Sequence, residues 1–328
     1  MKKILFVSSI CLFLTGGGLK LAPAPVSATT PLKVAQNNDL SQTAPAVPNR
    51  LELLTTGAEP RQELRFKPRV NAKQTMTMTM NMNITGSLAG QAMPKVKVPA
   101  SVMKMDVLVT QVDANGDIHS KFSYTDADVV ADPSVPPEMF NAMQSALQKM
   151  VGLSGSSITD NRGQIKSANF VLPEGSDPLT KQLLEQLSNS LDQFSSPVPQ
   201  EAVGIGAKWR VSSSLKPGGI NLTQRAVYEL VSLKDNVATF NISFEQQANA
   251  QELPLPGAPS GLTVSLKSLT AQGQGQMTVP LDAAVPTRTT LSIRSKNEMN
   301  IKDPRSGKDM PIETQVSMQM NLESQLSK

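Results

Sequence analysis

From Gln74 to Ile84 the chain reads Gln-Thr-Met-Thr-Met-Thr-Met-Asn-Met-Asn-Ile, a period of two almost without fault. Successive side chains of an extended strand point to opposite faces. Met76, Met78, Met80 and Met82 therefore share one face, and Thr77, Thr79, Asn81 and Asn83 share the other. A helix would scatter the same methionines around its circumference. This segment must be a strand with one apolar and one wet face, which antiparallel sheets accommodate and doubly covered parallel sheets do not.

The same period continues along the chain. Ser101–Val112 and Ile118–Val130 form a hairpin across Asp113-Ala-Asn-Gly-Asp117, and Asn-Gly is a hairpin-turn pair. Shorter strands at 156–160 and 164–172 flank Asn161-Arg162-Gly163. Long strands follow at 207–216, 221–233, 237–248, 262–278, 287–301 and 312–323, separated by turn residues at 216–219, 234–236, 280–282 and 303–308. Two amphipathic helices interrupt. Pro136 and Pro137 open the first, striped by Met139, Phe140, Met143, Leu147, Met150 and Val151. Ser176 caps the second, with Leu179, Leu183, Leu184, Leu187, Leu191 and Phe194 on one face. The pattern predicts a mainly β (β-rich α+β) fold: a curved antiparallel sheet or half-barrel with two inserted helices, in one domain spanning 62–328.

The N-terminus reads as a targeting signal. Met1-Lys2-Lys3 is basic, Ile4–Leu14 is apolar, and Val26-Ser27-Ala28 is a small-x-Ala cleavage site. Cys11 lies inside the apolar run, out of position for lipidation. Residues 29–61, rich in Pro, Ala and Gln, read as a disordered linker. Cleavage after Ala28 removes Lys2, Lys3 and Lys20, leaving 28 basic against 27 acidic residues. A near-neutral chain gives no electrostatic footprint for nucleic acid. It would also have no cysteine, so its stability must come from burial. The expected location is periplasmic or extracellular, with no membrane span in the mature chain, because no interior run approaches the ~20 apolar residues a helix needs to cross.

The methionines carry the functional expectation. Met103 and Met105 extend the stripe on a second strand, and Met318 and Met320 on the last. Together with Met76, Met78, Met80 and Met82 they make a soft, adaptable apolar face suited to a lipid or acyl chain. The alternative is an envelope structural or protein-interaction module with the methionine face as its core. A third reading is Cu(I), which thioethers ligate, although four methionines on one strand run in line rather than converging. No catalytic residue, metal ligand set or cofactor is expected. The single His119 lacks an evident partner in sequence, and Asp113–Asp117 departs from a calcium loop, with Gly116 fourth and Tyr124 at the twelfth position. Gly273-Gln-Gly275 lies within a strand, so a bend or bulge is expected there rather than a phosphate loop. Trp209 is expected to anchor the core and close the second helix onto the sheet.

Three stretches together resemble an uncharacterised family of exported bacterial proteins. They are Leu64 to Met80, with its basic turn and Met/Thr strand, the Asp160–Gly163 turn, and Gly206-Ala-Lys-Trp209. Ala207 and Lys208 stand where that family has Asp and Ser. The architecture is also similar to the half-barrel of periplasmic lipoprotein carriers, which implies a curved sheet holding acyl chains under helices.

Overall fold

The computed structural model describes residues 50–94, 96–173, 197–215, 220–253, 263–302 and 307–326. The segments assigned above to the signal, to most of the linker and to the second helix lie outside the described residues.

The strands are β1 (Arg50–Thr55), β2 (Lys73–Leu88), β3 (Gln91–Ala92), β4 (Val96–Val112), β5 (Ile118–Val129), β6 (Ser154–Thr159), β7 (Ile165–Val171), β8 (Lys208–Leu215), β9 (Leu222–Lys234), β10 (Val237–Ala248), β11 (Gln251–Leu253), β12 (Thr263–Pro280), β13 (Arg288–Lys302) and β14 (Asp309–Leu326). One helix, α1 (Pro137–Gln148), follows β5. All the strands join one antiparallel sheet, in the order β1-β8-β9-β10-β12-β13-β14-β2-β4-β5-β6-β7, with β3 and β11 as short side pairs. Nothing pairs β1 with β7, so the sheet does not close into a barrel.

The linker boundary needs correction. Residues 50–55 were expected to be disordered, yet they form β1, paired with β8 from Arg50↔Ser212 to Thr55↔Lys208. Arg50-Leu-Glu-Leu53 alternates, and both leucines pack against the main core. Four residues of alternation were enough for an edge strand, and the Pro-rich context upstream masked them.

Turns follow the local chemistry. Asp235 and Asn236 have φ of 51° and 64°, the two left-handed positions of a two-residue hairpin between β9 and β10. Gly116 (φ 87°) turns β4 into β5, and its N–H donates to the Asp113 carbonyl at 2.9 Å.

One face of the sheet is apolar and buried. The main cluster runs from Trp209, Tyr228 and Phe240 through Leu291 and Ile293 to Met318, Met320, Met80, Met78 and Met103. Helix α1 covers its far end with Leu147, Phe140 and Met143. It also takes over an edge. β6 pairs with β5 only as far as Ser123, and beyond that Gln144 Oε1 accepts from the Val129 N–H (2.9 Å) while Gln148 Nε2 donates to the Ala127 carbonyl (2.6 Å). Backbone groups that β6 leaves open are thereby satisfied.

A strap, residues 56–72, ties the two ends of the sheet together. Gln62 pairs reciprocally with Val203 beside β8, the Phe66 N–H donates to Asn161 in the β6–β7 turn, and the Lys67 N–H donates to Leu281 after β12. Leu64, at the strap's centre, is fully buried.

Candidate functional site

The structure brings the eight methionines together. In register, Met76 faces Met105 and Met78 faces Met103 across β2–β4; Met80 faces Met320 and Met82 faces Met318 across β2–β14. Six of them (Met78, Met80, Met82, Met103, Met318, Met320) are buried, and only Met76 and Met105 are partly exposed. Met78, Met80, Met103, Met318 and Met320 are members of the main core cluster with Trp209 and Phe240. Met82 is buried outside that cluster, and Met105 packs against a separate cluster of Tyr124 and Leu153.

Below this cluster the same face turns polar. Ser213, Gln246, Ser295, Asn297 and Thr314 are all buried, and a second apolar cluster of Leu215, Leu222, Ala248, Leu266 and Leu269 lies beyond them. Gln246 Nε2 donates to Gln224 Oε1 (2.6 Å). Asn297 Nδ2 reaches Thr314 Oγ1 at 3.5 Å, but Asn297 Oδ1 and Ser295 Oγ have no hydrogen-bond partner among the described residues. Gln74, also buried, is satisfied: its Oε1 accepts from the Ala284 and Val285 N–H groups at 2.8 and 3.2 Å, pinning the β12–β13 loop.

Several single residues settle into structural places. Trp209 donates from Nε1 to the Pro197 carbonyl (3.1 Å), stacks on Tyr228 and meets Phe240 edge-on. The helix it was expected to hold lies outside the described residues, but Pro197 directly follows that segment. Gly273 and Gly275 form no bulge, since β12 keeps continuous register with β10 and β13 around them; Gly273 instead leaves room for the Phe244 ring. His119, expected to stand alone, contacts Asp113 Oδ2 at 2.8 Å through Nε2, because the hairpin turn folds back on its own strand. That hydrogen bond holds the Asp113 carboxyl below its usual range. No group of three or more His, Cys, Asp and Glu suited to a metal occurs among the described residues, and no helix there is long and apolar enough to cross a membrane.

The opposite, polar face of the sheet carries its charges in two different ways. Over β2 and β4 three lysines are matched: Lys73–Asp106 (2.7 Å), Lys104–Asp126 (2.9 Å) and Lys97–Asp132 (2.7 Å). In each pair a lysine hydrogen bond is the main reason the aspartate sits below its ordinary pKa. Over β1, β8–β10, β12 and β13 the face hollows into a depression of about 1260 Å3. One row of register partners crosses it: Arg50↔Ser212↔Arg225↔Glu245↔Gln272↔Arg294. Arg210 is paired with Glu52 at 3.0 Å. Arg50, Arg225 and Arg294 are exposed and have no ion-pair partner among the described residues. The row is invisible in sequence because its members come from six strands, and no local pattern links them.

No protein-family model matches the chain, and no curated protein matches it. Among solved structures, an in-vitro folded outer membrane protein of Vibrio cholerae, OmpT in its trimer form, is 6% identical, with 76% of this chain and 100% of that chain covered at a TM-score of 0.16. A likeness that low carries no argument.

Proposed function

We propose that the chain is an exported, non-enzymatic interaction module of the cell envelope. Its methionine face serves as core, and it docks an acidic protein segment in the arginine-lined depression. The observation that carries this reading is the contrast across one sheet face: Lys73, Lys97 and Lys104 are paired, whereas Arg50, Arg225 and Arg294 make no salt bridge among the described residues, even with Glu245 next to Arg225 in register. Adjacent strands lie ~4.8 Å apart. Arg50, Arg225 and Arg294 in one row therefore stand roughly 10 and 14 Å from one another across the strands. A guanidinium binds a carboxylate in a two-pronged fashion, and the Ser and Gln side chains between them supply further donors.

The test is fluorescence anisotropy of a labelled glutamate decamer with the full chain, at low and high salt. Each exposed ion pair contributes about 0.2–1 kcal/mol. Replacing the three arginines with Gln should then weaken binding about 3- to 100-fold, and added salt should weaken binding to the unaltered chain. Binding that ignores both changes would refute the proposal.

One observation favours a second reading, an apolar ligand such as a lipid or acyl chain. Asn297 Oδ1 and Ser295 Oγ are buried without partners among the described residues, between two apolar clusters, and an amphiphile with a polar head would satisfy them. The similarity to half-barrel carriers points the same way, as an analogy of architecture. Such a ligand would have to displace part of the packing now on the methionines.

A further inference from the structure

The objection to copper was that the methionines of one strand stand in line. The fold removes it. β4 lies directly beside β2, with Met105 opposite Met76 and Met103 opposite Met78, and β2–β4 register is continuous through both pairs. All four side chains project from the same face. Opposed Cα atoms in an antiparallel pair are about 4.5–5.5 Å apart, and same-face neighbours on one strand about 7 Å. The four thioethers thus rise from the corners of a small rectangle, on arms of three rotatable bonds that let the sulfurs lean toward one point.

We infer that Met76, Met78, Met103 and Met105 form a Cu(I) site, independent of the docking surface on the opposite face. Thioethers are soft, neutral ligands that select Cu(I) over the hard divalent ions, which need carboxylate or imidazole. None of the latter groups clusters for a metal among the described residues. Burial is graded in the manner a metal site needs. Met78 and Met103 are 5% and 7% exposed and sit in the main core, whereas Met105 packs on its other side against Tyr124 and Leu153, and Met76, partly exposed and in no apolar cluster, gives the ion a way in. The other cross-strand pairs lack that mouth, since Met80, Met82, Met318 and Met320 are all buried.

The experiment is an anaerobic titration of the full chain with Cu(I) in competition with bicinchoninate. Cys11→Ser is present in every sample to remove the single thiol. The chain should withdraw one equivalent from the chelator, with a sulfur-only first shell by X-ray absorption. Met76→Leu/Met105→Leu should lower the affinity by about tenfold or more, a loss that even outer-shell changes produce at metal sites, with circular dichroism unchanged. Met318→Leu/Met320→Leu should leave uptake as it was. No withdrawal of copper by the unaltered chain would overturn the inference. So would full uptake by a folded Met76→Leu/Met105→Leu variant.

Discussion

The phenyl ring of Phe244 on β10 fills the space that a β-carbon on Gly273, its register partner on β12, would occupy. The glycine is therefore a packing device at the centre of a long strand, where its lost side chain is replaced by a neighbour's ring. Gly273→Ala should cost about 1–3 kcal/mol through overpacking. Phe244→Leu in the same chain should recover part of that loss, with a coupling above ~0.5 kcal/mol. Urea unfolding of the two single variants and the double variant checks this; additive losses would mean the ring moves aside freely.

Trp209 ties the sheet to the segment beginning at Pro197. Trp209→Phe keeps most of the stacking with Tyr228 and Phe240 but removes the Nε1–H that the Pro197 carbonyl accepts. A buried acceptor left unmatched costs about 1–3 kcal/mol, which a lowered urea midpoint would register. As the only tryptophan, it should also shift its emission to the red in the same transition in which circular dichroism reports loss of strands.

The Lys–Asp pairs on the polar face give the fold an acid limb. Lysine hydrogen bonds hold Asp106, Asp117, Asp126 and Asp132 below the ordinary carboxylate value. A carboxylate whose folded pKa is depressed stabilises the fold above its unfolded value, about 3.9, and that contribution is lost as pH falls through the folded value. Thermal midpoints should be flat from neutral pH to about pH 4.5 and fall below it. Lys73→Met with Lys97→Met and Lys104→Met should shallow that fall. Because the pairs are solvated, their individual contributions are small, and only the combined variant is expected to show the change.

The methionine face should behave as core. Met80→Leu and Met320→Leu conserve volume and should each cost less than about 1.5 kcal/mol in urea unfolding. Met80→Asp would place a carboxylate beside Met320 with no partner, and it should prevent folding. A folded, soluble Met80→Asp chain would show that the face is open after all.

Most of the fold was legible because it is written in local alternation. The strands at 74–84, 101–112 and 237–248, the Asn-Gly turn and the proline-led helix each follow from a few adjacent residues. β1 was missed because four alternating residues after a Pro-rich stretch carry a weak signal. The pairing of Met80 with Met320 and of Met82 with Met318 follows from a strand order that brings the last strand next to β2, which no local pattern encodes. The arginine row was hidden for the same reason: Arg50 and Arg294 are far apart in sequence and fall into one row only through register across six strands. The partner for His119 required the turn to fold back on its strand.

The most direct test of the central claim is native mass spectrometry of the full chain offered a glutamate decamer and a phospholipid together. The account predicts a peptide adduct that disappears when Arg50, Arg225 and Arg294 are replaced by Gln, and no lipid adduct. A retained lipid with no peptide bound would contradict it and make the methionine face the working surface.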